Sequence, residues 1–565
     1  MESLQRHLEC LKLSETESEE QILESLNMVL AALDEDKQKS SNLLTDNGLL
    51  PALARLLKGN ARNAEKAAQV LAELAKNEEM RKPCIDAGLV LDLVPLLQSS
   101  EEGLLLHVGR AIGRICYENS ELQEQLVEAG AINSLVRIFT DFPENDTLVS
   151  VGLVALSNLA DLETAKEALS RTQVSEQLVK QLKRAGTHER LEIIIEVLQM
   201  LAENDALKLQ LVDEGVQENL CDILARLQDS TQTRDMCSMK ASSDLLVSLL
   251  LGDDSMQKLF DNGCGIVYTN IPVWLSSGHT VLQMTGALAI ANFARNDSNC
   301  ARMVELGVVH QLLDLLEQHV QNGDVSVQHA ALSALRNLAI PVMNKVRMLE
   351  QGVADRIQML LRSEMPPVQF KLLGTLRMLT DGQADAARIL GQDHTLLSRL
   401  VQWCEAKDHA GVRGEANRLL ASLLRHSKSQ EVVRAVQKAQ GVKHLVSMTT
   451  SAHVIMQNEA LIALAIASAI SLDVVEESFM ESGLIPILQK VLDDDSMGPE
   501  VKYNCMGLLC SLLNSEELKR QVDESNMKAT LERLCSHSNA NVVKQAVTAL
   551  EILCDDNQHR SHFFG

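Results

Sequence analysis

The sequence predicts an all-α solenoid, a stack of similar helical units, from three observations. Stretches that begin at Gln283, Gln328 and Gln369 are versions of one helix, and Asn292 and Asn337 hold the same place in two of them, 45 positions apart. Apolar residues at helical spacing that recur with this period indicate stacked helical units. Aromatic residues make up only 2% of a chain that is 46% hydrophobic, which is typical of helices packed on helices. Finally, 565 residues exceed the roughly 250–300 that one core supports, and no long Pro/Gly/Ser linker separates domains.

The predicted elements begin with a cap and end with a tail. Residues 1–36 hold ten Asp or Glu against two Lys or Arg, and leucines at helical spacing predict two short helices there. A solenoid needs such a polar end to cover its first unit. We assign residues 37–554 to the repeats, about 11–12 units, and residues 555–565 to a C-terminal tail.

Each predicted unit has a short helix that ends at a glycine, a second helix and a longer third helix. Glycine supplies the left-handed conformation that closes a helix. The turn glycines are Gly48, Gly88, Gly130, Gly215, Gly263, Gly307, Gly352, Gly441 and Gly483. Three helices with a period near 42 residues, as between Gly88 and Gly130, resemble the armadillo repeat. This resemblance implies a superhelical solenoid with a concave groove lined by the third helices.

Composition excludes several classes of function. The net charge of −25 disfavours a nucleic-acid binder and suits basic partners. The twelve cysteines contain no CxxC pair, which predicts buried, reduced thiols. The N-terminal residues do not form a signal peptide, and no apolar run approaches the ~18 residues of a membrane span. We therefore expect a cytoplasmic protein without an integral membrane segment, with nuclear or endoplasmic reticulum surface localisation through its partners.

One face of the third helices in the central units is a candidate binding surface. An asparagine amide there has two interpretations, which the sequence leaves open: it clamps the extended backbone of a partner, or it bonds to the backbone of the neighbouring unit. Four recurring glutamines nine residues before this position face elsewhere, and we expect them to be structural. The polar and basic residues on or beside the candidate face are Asn292, Arg295, Asn296, Arg336, Asn337, Lys371 and Arg377.

Charge is segregated along the chain. Residues 189–261 hold 15 acidic and 6 basic residues, whereas residues 341–400 hold 6 acidic and 8 basic residues. This distribution predicts a groove with an acidic and a weakly basic part, although solvated helix faces would give the same counts. The candidate acidic patch consists of Glu189, Glu196, Glu203 and Asp205, and an earlier unit carries a basic strip of His107, Arg110 and Arg114.

No motif for catalysis is present. The sequence contains no P-loop, HExxH, GxSxG or protein-kinase signature. We therefore expect no enzyme activity of its own, no cofactor and no metal site.

Several long motifs resemble one family. They include AKNEEMRKPCIDAGL from Ala75, LAENDALKLQLV from Leu201, GALAIANFARND from Gly286 and VQHAALSALRNLAIP from Val327. These strings are similar to the SmgGDS family, armadillo-repeat GDP dissociation stimulators of Ras- and Rho-family small GTPases. The chain resembles the shorter form, because one unit of the long form is missing between Phe139 and Thr147. Arg114 stands where the family pattern has Asn.

The resemblance implies a guanine nucleotide exchange factor and chaperone. Its partners would be small GTPases of Rho, Rac, Rap and Ras type with polybasic, prenylated C-termini, bound by a monomer. The polar and basic face would bind the switch region, the acidic patch would attract the polybasic tail, and Val151, Val154 and Asn158 would line a slot for the prenyl group. The alternative is an armadillo adaptor or scaffold without exchange activity. Nuclear-signal readers are disfavoured because the two tryptophans, Trp274 and Trp403, lie outside the third helices.

Overall fold

The computed structural model describes residues 2–13, 15–321 and 323–561, with the side chains of residues 37, 39 and 556–561 left aside. Within these ranges every regular element is a helix, so the predicted all-α class is confirmed. The helices divide into two compact parts, with the boundary after Asn270. These parts are called the first and second unit from here on, and each three-helix set within them is called a repeat. In the predicted tail, residues 555–561 continue the last helix, and residues 562–565 lie outside the described residues.

The first unit begins with two capping helices and continues as sets of three helices. Short 3-10 turns follow α5 (Glu78–Met80), α7 (Val94–Gln98) and α18 (Asp261–Gly263). Its helices are α1 (Glu2–Lys12), α2 (Glu19–Glu35), α3 (Lys37–Asp46), α4 (Leu49–Leu57), α5 (Ala61–Leu74), α6 (Arg81–Asp86), α7 (Leu89–Leu93), α8 (Glu102–Ile115), α9 (Ser120–Glu128), α10 (Ala131–Asp141), α11 (Asp146–Leu159), α12 (Glu163–Ser170), α13 (Val174–Arg184), α14 (His188–Leu201), α15 (Asp205–Asp213), α16 (Val216–Leu227), α17 (Thr233–Leu249), α18 (Asp253–Phe260) and α19 (Ile266–Leu275), within which the boundary falls.

The second unit repeats the same three-helix set, with one 3-10 segment (Ile357–Arg362) after α25. Its helices are α20 (Thr280–Phe293), α21 (Asp297–Glu305), α22 (Val308–Gln318), α23 (Val325–Leu338), α24 (Val342–Glu350), α25 (Val353–Arg356), α26 (Pro366–Thr380), α27 (Ala384–Leu390), α28 (His394–Cys404), α29 (Ala410–Ser427), α30 (Gln430–Lys438), α31 (Val442–Met448), α32 (Val454–Glu481), α33 (Leu484–Asp493), α34 (Pro499–Leu512), α35 (Glu516–Glu524), α36 (Met527–Leu534) and α37 (Ala540–Ser561).

The third helices form a continuous row inside each unit. In the first unit α2, α5, α8, α11, α14 and α17 pack in succession, and in the second unit α20, α23, α26, α29, α32, α34 and α37 do the same. Leucine, alanine and valine fill the layers between them, and most of these side chains are fully buried. The packing of short aliphatic side chains lets neighbouring helices approach closely, which explains the small aromatic content.

Glycine turns set the period of both units. Eight of the nine predicted turn glycines adopt positive φ, between 67° at Gly483 and 86° at Gly263. The prediction is wrong at Gly441, where Gln440 takes the left-handed conformation with φ 68° and Gly441 itself is right-handed. Gly441 is required for a different reason, because a Cβ there would lie 2.9 Å from Cγ1 of Val436.

The recurring glutamines are structural, as predicted. Each is buried near the start of a third helix and donates from Nε2 to a carbonyl of the loop before it. Gln283 reaches Ser277 O at 2.8 Å, Gln369 reaches Ser363 O at 2.8 Å, and Gln457 reaches Thr449 O at 3.0 Å. Each glutamine therefore connects the start of a third helix to the backbone of the loop before it.

One described helix, α32, is long and apolar enough by length and composition to cross a membrane. Half of its apolar window is buried inside the protein, and it packs against α29, α31 and α34. Ser471 leaves the helical conformation, with φ −147° and ψ 60°. These contacts are those of a core helix, in which the third helix of one repeat continues into the first helix of the next.

Candidate functional site

An open cavity of about 670 Å³ lies between α8 and α11 in the first unit. All three residues that the sequence proposes for an apolar slot line it. Val151 is nearly buried, Val154 is 46% exposed, and Asn158 is half-buried. The cavity lies between the two third helices on either side of the position where the sequence indicates a missing unit. Its lining residues are Arg81, Gly109, Arg110, Gly113, Arg114, Tyr117, Asp146, Thr147, Ser150, Val151, Val154, Ala155, Asn158 and Arg190.

Two glycines of α8 shape this cavity in different ways. A Cβ at Gly109 would lie 2.6 Å from Cγ1 of Val151, so glycine there allows α8 and α11 to approach. A Cβ at Gly113 would meet no atom within 4 Å, so glycine there leaves open space. A narrower apolar crevice lies below and shares Gly109, Gly113, Ala155 and Asn158 with the cavity. An apolar chain that entered the cavity would therefore find apolar walls beneath it.

Four arginines line the cavity. The sequence identifies the basic strip, and the structure places Arg110 and Arg114 of that strip in the cavity lining. Arg81 and Arg190 complete the set, and sequence reasoning missed both. They come from α6 and α14, 29 residues before and 80 residues after Arg110, so no local spacing connects them with the strip.

In the candidate acidic patch, Glu189 and Glu196 lie on α14, which packs against α11, Glu203 lies in the turn after α14, and Asp205 begins α15. Glu189 pairs with Arg234, and Glu203 accepts from Nζ of Lys166 at 2.8 Å. Lys166 is only 2% exposed, so the carboxylate of Glu203 stabilises the structure by compensating the buried positive charge of Lys166.

The other two predicted acidic residues are freer. Asp205 is exposed and lies 4.0 Å from Nζ of Lys208. Glu196 is exposed and has no ion pair or hydrogen bond from its side chain in the described part of the chain. Of the predicted patch, Glu196 is therefore the carboxylate most available to a cationic partner.

The asparagines of the second unit bond to backbone. Asn337 donates from Nδ2 to Ala291 O of the neighbouring repeat at 3.0 Å, which is the structural interpretation given above. Asn292 donates to Leu288 O of its own helix at 2.9 Å. Asn296 caps α21 and accepts from the backbone N of Asn299 at 3.0 Å. Both Asn292 and Asn337 are half-buried.

The basic members of the predicted face differ in availability. Arg295 is exposed at the end of α20. Arg336 and Lys371 are half-buried neighbours on α23 and α26, and Arg336 lies over Gly374, where a Cβ would be 3.6 Å from its Nε. Burial, followed by the positive charge of Arg336, lowers the pKa of Lys371, and only Glu415 opposes these effects. The positive charges of Arg336 and Lys371 therefore lie close enough to affect each other.

Arg377 belongs to a buried ion-pair network. Its guanidinium donates to both carboxylate oxygens of Glu415, at 2.9 and 3.3 Å. Glu415 also accepts from Arg418, which in turn donates to Glu459. The network connects α26, α29 and α32 of three successive repeats. Arg377, a candidate groove residue, is therefore also part of the packing between repeats.

A second cavity, of about 610 Å³, lies between α29, α31 and α32 and was missed by sequence reasoning. Its walls include Gly411, packed against Phe370, and Gly414, packed against Met456. The pair of glycines in GVRGEANR is the signal that could have indicated it, since two glycines on one helix mark a close approach or an open space.

Among the described residues no group of three or more His, Cys, Asp or Glu side chains is placed to hold a metal ion. Burial raises the pKa of the Cys116 and Cys221 thiols to about 12, as expected for buried, reduced cysteines. The prediction of buried thiols is wrong at Cys237, Cys264 and Cys554, whose side chains are exposed.

Comparisons with known proteins agree with this architecture. The armadillo/beta-catenin-like repeat family matches residues 296–340. A solved structure from work on the interaction between cadherin and beta-catenin aligns with 97% of this chain and 98% of its own, with a TM-score of 0.54 and 16% identity. An engineered protein aligns with 82% of this chain and 98% of its own, with a TM-score of 0.52 and 23% identity. These likenesses show the fold, and the predicted armadillo solenoid is confirmed.

Relatives of known name cover almost the whole chain. Rap1 GTPase-GDP dissociation stimulator 1-A of Xenopus laevis is 46% identical over 596 aligned positions, which cover 97% of this chain and 98% of the relative. GTPase-GDP dissociation stimulator vimar of Drosophila melanogaster is 30% identical, over 88% of this chain and 93% of the relative. The resemblance stated from the sequence motifs is thereby confirmed. This chain belongs to the armadillo-repeat family of GTPase-GDP dissociation stimulators.

Proposed function

We propose that this chain stimulates GDP release from small GTPases of the Ras and Rho families and chaperones their prenylated forms in the cytoplasm. The observation that carries the proposal is the 46% identity, over 97% of the chain, to a protein named as a stimulator of GDP dissociation from Rap1 GTPase. The extension to Rho, Rac and Ras types rests on the shared chemistry of their C-termini, a basic segment followed by a prenylated cysteine.

Exchange of this kind requires no catalytic side chain. A partner that binds the nucleotide-poor conformation of a GTPase better than the GDP-bound conformation shifts the population toward the former. The third-helix face of the second unit offers the contacts for this: exposed Arg295, the cation pair Arg336 and Lys371, and the half-buried amides of Asn292 and Asn337. We assign the switch region of the GTPase to this face.

The C-terminal tail of the GTPase is assigned to the first unit. The prenyl chain would enter the cavity between α8 and α11, where Val151, Val154 and Asn158 form one wall. The basic segment before it would cross the exposed face of α14, which packs directly on α11 and carries Glu196. Neighbouring helices thus provide an apolar slot and a carboxylate surface in the order that the tail requires. Burial of the prenyl chain would keep it from water, which is the chaperone activity.

The test compares prenylated and unprenylated forms of one GTPase. Release of fluorescent GDP should accelerate when the full chain is added, and binding should be tighter for the prenylated form. Gly113→Leu fills the cavity without a clash at Cβ, and leucine is a better helix former than glycine, so the variant should fold. It should weaken binding of the prenylated form and leave the unprenylated form unchanged. An unchanged rate of GDP release with the wild-type chain would reduce the function to that of a scaffold.

A further inference from the structure

The lining of the cavity between α8 and α11 is strongly cationic. Four guanidinium groups line it, those of Arg81, Arg110, Arg114 and Arg190, against the single carboxylate of Asp146. A purely apolar ligand would gain nothing from this arrangement. The excess of positive charge over apolar walls fits a ligand with an apolar chain and an anionic end.

Two of these arginines are already held by the protein. Arg114 donates from Nη1 to Ala72 O and lies 4.0 Å from a carboxylate oxygen of Glu73. Arg81 donates from Nε to Ala75 O at 3.2 Å, and its guanidinium lies 5.6 Å from the centre of the Tyr117 ring. These contacts fix both side chains in place.

The other two arginines have unused donors. Arg110 forms no ion pair and no side-chain hydrogen bond with any described residue. Arg190 uses Nη2 for Asp146 O at 2.6 Å and for Oγ of Ser150 at 2.8 Å. Its Nη1 is buried and lacks a partner among the described residues. A buried cationic donor without an acceptor is costly, so Arg190 carries a donor that the chain itself leaves unsatisfied.

The positive charge of the cavity lining affects a neighbouring side chain on α8, that of His107. Burial lowers the pKa of His107, and the positive charges of Arg110 and Lys66 lower it further, against the opposing charge of Glu73. Protonation of this imidazole is thus disfavoured by an excess of nearby cations, in agreement with the unpaired state of Arg110.

We propose that Arg110 and Arg190 bind the free α-carboxylate of a C-terminal prenylcysteine, so that the cavity accepts the carboxylic acid in preference to its methyl ester. This inference rests on the proposed function, which places the prenyl chain in the same cavity. Methylation removes the negative charge and leaves a weaker acceptor opposite two cations. The net charge of −25 would repel the acid more than the ester, so a preference for the acid has to arise locally.

The experiment uses the full chain and three peptides with one polybasic sequence. One ends in S-geranylgeranyl cysteine as the free acid, one in its methyl ester, and one in unmodified cysteine, and binding is followed by fluorescence anisotropy. The acid should bind about tenfold more tightly than the ester, a ratio that corresponds to one charge-assisted contact. Arg110→Gln should lower affinity for the acid and leave the ester unchanged. Arg226→Gln, an exposed arginine on α16 outside the cavity lining, removes the same charge and should keep the preference.

The outcomes separate this inference from the proposed function. Equal affinity for acid and ester, both above the unmodified peptide, would overturn the inference and leave the prenyl slot in place. Prenylated peptides that bind no better than the unmodified peptide would remove the slot, and the inference with it. Displacement by palmitate at lower concentrations than by the free-acid peptide would assign the cavity to a fatty acid and overturn the proposal.

Discussion

The ion-pair network of Arg377, Glu415, Arg418 and Glu459 should be a main source of rigidity in the second unit. Glu415 of α29 accepts from Arg377 of α26 and from Arg418 of its own helix, and Arg418 in turn donates to Glu459 of α32. The perturbation that tests this is Glu415→Gln, which removes the charge and changes the shape of the side chain very little.

The magnitude follows from the exposure of the network. Removal of one partner from a fully buried ion pair destabilises a protein by about 3–5 kcal/mol, whereas an exposed pair contributes about 0–1 kcal/mol. The side chains of Glu415 and Arg377 are 11% and 18% exposed, so the pair lies near the buried limit. A glutamine oxygen still accepts from one guanidinium. We therefore expect a loss of about 2–3 kcal/mol in the free energy of unfolding.

The assay has to resolve individual repeats, because stability in a solenoid is a sum of local terms. Hydrogen–deuterium exchange should show faster exchange in α26, α29 and α32 of the Glu415→Gln variant, with α20 and the first unit unchanged. Asp385→Asn is the matched control, since Asp385 is 95% exposed in a surface pair with Arg388. If both variants show the protection of the wild-type chain, the network does not stabilise these repeats and the reasoning is refuted.

Three further predictions concern other parts of the chain. Asn337→Ala should lower the free energy of unfolding by about 1 kcal/mol, because it removes the hydrogen bond to Ala291 O. Asn292→Ala loses a bond inside its own helix and should lower the free energy of unfolding by less. Chemical denaturation of the two variants compares these losses. Burial lowers the pKa of His426 against the opposing charge of Asp381. Between that pKa and the unfolded value near 6.5, the unfolded state binds more protons, so the free energy of unfolding falls as the pH is lowered. The melting temperature should therefore decrease less for His426→Gln than for the wild type between pH 7.5 and pH 5. Glu196→Lys should weaken binding of a polybasic prenylated peptide several-fold at low salt and much less at 1 M salt, and an effect independent of salt would contradict a role for that carboxylate in attracting the tail.

Much of the architecture could be predicted from periodicity. The row of third helices, the structural glutamines and the left-handed turn glycines all depend on local sequence, which a single chain displays directly. The residues proposed for the apolar slot also line the cavity between α8 and α11, because helical spacing places Val151, Val154 and Asn158 on one face of α11.

Contacts between repeats could not be predicted in the same way. Arg377 is a candidate for GTPase binding by its position on the helix face, but its partner Glu415 lies 38 residues away on the next third helix. The pairing depends on how neighbouring helices are offset, which helical spacing within one repeat does not report. The cap at Asn296 is a different case, since an asparagine followed by Asp297 at the start of a helix is a recognisable capping signal.

The central claim is that the third-helix face of the second unit promotes GDP release from a small GTPase. Its most direct test is the rate of fluorescent GDP release from a prenylated Rho-type GTPase with the wild-type chain, the double variant Arg336→Ala/Lys371→Ala, and the control Arg347→Ala on the first helix α24. We predict acceleration by the wild type and the control, and a loss of at least about tenfold in the double variant, as for the removal of two charged contacts. Acceleration by the double variant at the wild-type rate would contradict the assignment of the exchange surface to this face.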